Sequence, residues 1–364
     1  MRTSLLAIFL FLLSLGYCLS QEMILKLSLQ QNPAQPRDYF FKEVMDIRVQ
    51  KSIGLVYDSD RNKHTASFGG KLDQQTLAFF NSNITTSKNP SYSIRVKIYN
   101  LDLKEIYVPN VRGYKGDIQL SLGFFLISEG SEVPLVDFNS TAEYGRPANQ
   151  TNNVDTAIHQ LFENSWTYFD AWLSSQYLSN RALVKKVRVN VLEPKRPSTK
   201  DTVYYDPAKP LTWDDFRETP NPSSSFNATI FSSIAIEGKA VVQNGEILQN
   251  IEIKVYMLPG QSWVKHANDY ANNHEQRHFD LTRIAADRMI YRLKNAELEP
   301  NLYEAMLNDI YLDGYREMNI LQEVYDNETR NGINKDAQAR WNQLIKEGLS
   351  GSWQKLEKFL ETKD

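Results

Sequence analysis

The sequence predicts an α+β chain in two domains. Three observations carry this reading. Strand-period and helix-period segments alternate through residues 94–191, and a proline-rich stretch at 192–210 breaks the periodicity. Beyond it, two β-rich segments give way to helical periodicity that runs to the end of the chain. The chain has 364 residues, enough for two domains, read as 21–191 and 204–364 around a linker at 192–203. With 41% hydrophobic and 23% charged residues, most of it is expected to fold. The net charge is −3 and no basic block interleaves with aromatics, which argues against a nucleic-acid partner.

The elements follow in order. Arg2 precedes an apolar run at 5–15, and Cys18 and Ser20 stand at −3 and −1 of a cut before Gln21. This is the pattern of a signal peptide over residues 1–20, so the protein is expected to be exported, periplasmic or secreted. A lipid anchor at Cys18 is the lesser alternative, because Tyr17 stands where a lipoprotein signal wants a small residue. No later segment is long and apolar enough to suggest a transmembrane span. Cys18 is the only cysteine, so a cleaved chain has no thiolate ligand and would hold a metal through His, Asp or Glu.

In the first domain, Ile94, Val96 and Ile98 alternate with Arg95 and Lys97 as in a half-buried strand. A second strand is read at 117–127. A helix at 154–173 turns Ile158, Leu161, Trp166, Phe169 and Leu173 inward, and a strand at 183–191 closes the domain. The pattern resembles small α/β sandwich-like domains of the cell envelope. In the second domain, 232–242 and 247–257 flank Asn244-Gly245, a dipeptide suited to a tight hairpin turn. A long helix follows, with Leu281, Ile284, Ala285, Met289 and Leu293 as its buried stripe. A second helix is expected at about 302–326, and two more after Asn334.

The long helix carries His274-Glu275-Gln276-Arg277-His278, the His-Glu-x-x-His pattern. Residues four apart share a helix face, so His274 and His278 can converge on one Zn²⁺ ion. Glu275 lies about 100° around the helix from His274, placed to act as the base toward a metal-activated water. Chance produces such patterns, so the β-then-helix context matters as much as the letters.

Four stretches occur in order: Leu-Thr-Trp-Asp-Asp-Phe at 211–216, Ser262-Trp263, His-Glu-Gln-Arg-His-Phe-Asp at 274–280, and the block from Tyr325 to Ile345. Together, over about 204–349, they resemble a bacterial family of predicted secreted zinc-dependent proteases. The resemblance implies a zincin-like domain and peptidase activity, without a defined substrate. It does not reach the first domain. The family block reads Tyr-Asp-x-x-Thr-x-His-Gly, whereas here Asn331 replaces the histidine. The third zinc ligand is therefore open. Asp326, in the recurring Tyr-Asp pair, comes first, with Glu323, Glu328 and the poorer ligand Asn331 as alternatives.

Tyr325 is a candidate oxyanion donor or a packing residue. Asp280 and Gln276 are either supports for an imidazole or solvated surface. Trp213 and Phe216 are expected to anchor the sheet, Arg277 to be an exposed helix residue, and His266 to lie on the surface. The expected activity is an exported zinc metallohydrolase, a peptidase acting on peptide or protein substrates. The rival class is a non-catalytic envelope or binding protein on the same scaffold, favoured by Asn331 and opposed by the intact Glu275.

Overall fold

The computed structural model describes residues 22–29, 36–128, 131–150 and 152–361. The expected signal segment lies outside them. The chain is α+β and divides after Gln176 into two compact units.

The first unit is built on a four-stranded sheet. Its order is Tyr39–Asp46, Tyr92–Val108, Gly113–Ser128, Ser131–Pro147, with the first pair parallel and the others antiparallel. Helix α1 (Leu72–Ser82) makes the crossover that the parallel pair requires, and α2 (Asn152–Gln176) follows the last strand. Ile94, Val96 and Ile98 are fully buried, as their alternation with Arg95 and Lys97 predicts. Aromatic rings join sheet to helices: Phe41 meets Phe80 of α1 at 4.9 Å, and Phe124 stacks on Phe169 of α2 at 4.5 Å.

The segment expected to close this domain belongs elsewhere. Strand Lys186–Leu192 pairs in parallel with Glu246–Met257 of the second unit, Val187 opposite Ile247 and Val191 opposite Ile251. The proline-rich stretch after it contains no helix or strand until Val203–Tyr204, which pairs antiparallel with the far end of the same strand. It is therefore a loop inside the second unit, and the boundary falls before it, between Gln176 and Tyr177.

The other neighbour of Glu246–Met257 is Ser232–Gln243, paired along its whole length. Asn244 and Gly245 turn this hairpin with φ of 55° and 73°, the left-handed pair that a tight two-residue turn demands. Four helices follow: α3 (Asp269–Asn295), α4 (Tyr303–Thr329), α5 (Lys335–Leu349) and α6 (Gln354–Leu360). Asn268 and Asn334 cap α3 and α5, each accepting a backbone N–H three residues on.

Helix α3 is buried on two sides. Phe279, Ala285, Ala286, Met289 and Leu293 pack with Ile251, Ile253, Val255 and Met257 of the sheet. Leu281 and Ile284 pack with Leu321 and Tyr325 of α4, Trp341 and Ile345 of α5, and Leu356 of α6. The central helix is thus clamped between sheet and helices, which fixes the side chains it carries. Among the described residues, no helix is long and apolar enough to cross a membrane.

Candidate metal centre

One turn of α3 separates His274 from His278, and their rings sit with centroids 5.0 Å apart. The last turn of α4 brings Asp326 against both. Its Oδ1 lies 3.2 Å from His274 Nε2 and 3.0 Å from His278 Nε2. A tetrahedral ion with bonds near 2.1 Å separates its ligand atoms by roughly 3.4 Å, so these contacts match the span of a zinc ligand set. Among the described residues, this is the group of His, Cys, Asp and Glu donors that converges closely enough to hold a metal.

Electrostatics reflect the convergence. Burial alone would push the Asp326 carboxyl up, but hydrogen bonds from both imidazoles, and their charge, outweigh it and hold it far below the usual carboxylate range. His278 is likewise opposed by burial, yet the Asp326 and Glu275 carboxylates raise it. Glu275 is 5% exposed, and burial pushes its carboxyl up against the pull of the two imidazoles and the Ile230 backbone N–H.

Behind the ligands stands a buried amide. Gln338 of α5, 1% exposed, accepts from His274 Nδ1 at 2.9 Å and from the Tyr325 hydroxyl at 2.8 Å, and its Nε2 donates to Asn342 at 3.1 Å. Satisfying all three contacts puts a hydrogen on His274 Nδ1, so a metal would displace only the Nε2 hydrogen that meets Asp326, leaving the tautomer that a metal site needs. His278 Nδ1 is buried without a well-formed hydrogen bond, and the Gln322 side chain is the further group that acts on this imidazole.

The other expected site residues divide. Tyr325 is fully buried; its ring stacks on His274 at 4.8 Å and its hydroxyl is turned to Gln338, so it supports the imidazole and is not aimed at a substrate oxyanion. Glu328 accepts from Trp341 Nε1 at 2.8 Å and is held away from the imidazoles. Glu323 is outside the converging group. Asn331 lines the cavity, but in the left-handed turn that ends α4, where its backbone N–H donates to the Asp326 carbonyl at 2.9 Å.

Neither Asp280 nor Gln276 is an imidazole partner; Asp280 is buried and Gln276 half-buried. Asp280, 3% exposed, accepts from Tyr205, Gln276 and Arg277, while Gln276 accepts the Leu211 N–H at 2.7 Å. Arg277, expected on the surface, is drawn into this cluster at 2.5 Å from Asp280. The cluster pins the segment at 211–216 to α3. Trp213 and Phe216 pack ring to ring at 4.9 Å in the same core. His266 is exposed.

His274, Glu275, His278 and Asp326 open onto one cavity of about 510 Å³, walled by residues 225–230, the start of α3 and the turn at 331–333. Sequence reasoning missed Gln338 and this wall. Gln338 stands inside the motif block that follows Tyr325, which was the one available signal.

No family model and no curated protein matches the chain, so the resemblance of the four motifs rests on those residues alone. Solved structures similar to part of it include two of unknown function. One is a Xanthomonas campestris protein of the DUF330 family, at 14% identity, covering 42% of this chain and 94% of its own, with a TM-score of 0.27. The other is an uncharacterised protein at 10% identity, covering 41% of this chain and 96% of its own, with a TM-score of 0.24. Neither likeness is close enough to carry a fold or a site across.

Proposed function

We propose that this protein is an exported zinc-dependent hydrolase, of the zincin-like kind, that cleaves peptide bonds. The observation that carries the reading is the convergence of His274 Nε2, His278 Nε2 and Asp326 Oδ1, with Glu275 on the same cavity. With Asp326 seated against both imidazoles, the asparagine at 331 does not leave the ligand set one short. Export rests on the charged, apolar and small-residue order of residues 1–20.

His274, His278 and Asp326 would hold the ion, and Gln338 would keep His274 in its ligating tautomer. A bound zinc supplies Lewis acidity and brings the pKa of water toward ~7. The Glu275 carboxylate takes the proton from the attacking water and returns it to the amide nitrogen as the peptide bond breaks. Its place on the cavity, with the Ile230 N–H fixing it, suits that role.

The test is zinc content with hydrolysis of an unstructured protein substrate. Wild type should carry about one zinc per chain. His274→Ala should lose the metal, and Glu275→Gln should keep it while losing roughly 10²–10⁴-fold in hydrolysis. Stoichiometric zinc that survives His274→Ala would sink the proposal.

A further inference from the structure

We infer that the site acts on internal bonds of unfolded polypeptide beside a large apolar side chain, and not on chain ends. The inference rests on the hydrolase reading above and adds its substrate class.

Charge on the cavity wall argues against recognition of a terminus. Among the described residues that line the cavity there is no Lys or Arg; of the cations near it, Lys335 Nζ lies over the Tyr270 ring at 5.6 Å and Lys265 Nζ donates to the Ser224 carbonyl. The acidic side chains on that wall are Glu275 and Asp326. Asp326 is committed to both imidazoles, and Glu275 is 5% exposed and held by the Ile230 N–H. Neither is left over to hold a terminal ammonium.

Apolar surface on the same wall supplies the positive recognition. Phe226 is 47% exposed, Tyr270 37% and Ile333 79%. All three line the cavity. Tyr270 lies one turn before His274 on the same face of α3. Ile333 follows Gly332, which packs so closely on His274 that an added Cβ would stand 3.3 Å from its ring. The Tyr270 hydroxyl donates to the Gly332 carbonyl at 2.6 Å, which ties the two segments into one fixed wall. Large apolar groups held in water beside the reacting centre gain by covering an apolar side chain of a ligand.

Little of the imidazoles is accessible: His274 and His278 are each 6% exposed. An extended flexible chain reaches them more readily than a peptide bond held in a folded surface.

The experiment uses the full mature chain with zinc and a set of short peptides acetylated at the N-terminus and amidated at the C-terminus. They share one sequence and vary one residue among Leu, Phe, Asp and Lys. Mass spectrometry locates each cut. Blocked Leu and Phe peptides should be cut roughly tenfold or more faster than the Asp and Lys peptides, and unblocking the ends should not raise the rate. Ile333→Asp and Phe226→Asp should remove most of that preference at unchanged zinc content. The same two changes in a Glu275→Gln background should weaken binding of the uncut Leu peptide by roughly tenfold. Glu275-dependent cleavage that needs a free terminus, or that is equal for Leu and Asp, overturns this inference and leaves the hydrolase reading standing. No cleavage of any peptide by the zinc-loaded wild type overturns both.

Discussion

Gln338 Oε1 receives two hydrogens, one from His274 Nδ1 and one from the Tyr325 hydroxyl, and its amide nitrogen is fixed by Asn342. Removing that acceptor leaves the buried imidazole without a partner to set its tautomer. Gln338→Leu should therefore weaken zinc binding about 10–100-fold in competition with a chelating dye, while the far-ultraviolet circular dichroism stays unchanged. Equal affinity in the two proteins would show that the amide is only packing. This residue marks the limit of what could be read from the chain. His274, Glu275 and His278 follow from helical spacing alone. Asp326 shares its helix turn with Glu323 and Glu328, and which of them meets the imidazoles is set by how α4 packs on α3, a long-range fact. Gln338 sits more than a full helix away in sequence from the histidines and has no chemistry that singles it out.

Helix α3 works as a scaffold because both its flanks are filled. Gly314 of α4 shows how tightly. A Cβ there would lie 2.3 Å from Met289 Cε and 3.2 Å from Met289 Cβ. The methyl end can swing away, but the Cβ contact is fixed to α3. Overpacking of this kind costs about 1–3 kcal/mol, against a helix-propensity gain of at most ~1 kcal/mol. Gly314→Ala should lower the stability by about that difference, seen as a lower urea midpoint at unchanged slope, and loosen zinc binding with it; a higher midpoint would mean that α3 and α4 have slack. Element by element, the helices from α2 onward and the Asn244-Gly245 hairpin were legible because their signals are local, whereas α1 was missed. Strand Lys186–Leu192 was legible as a strand but not as to its sheet. Alternating Val187, Val189 and Val191 fit any open sheet edge, and a parallel partner nearly sixty residues away leaves no turn signature between them. Strand Ser131–Pro147 was missed because its side chains are mostly exposed or half-buried and polar, as suits an edge that pairs on one side.

At the scale of the molecule, the candidate chemistry is confined to the second unit. Every donor of the metal centre and the amide behind it comes from α3, α4 or α5. The α+β class was legible from periodicity, whereas the division of the chain was not. A proline-rich stretch reads as a linker whether it joins two domains or crosses one end of a single sheet, and here it does the latter. The account as a whole depends on one ion in one place. Anomalous scattering at the zinc edge from crystals of the mature protein tests it most directly. The account predicts a single strong site with His274 Nε2, His278 Nε2 and an Asp326 carboxylate oxygen each within about 2.0–2.2 Å. A zinc ion held through Glu323 or Glu328, or found away from the two histidines, would contradict it.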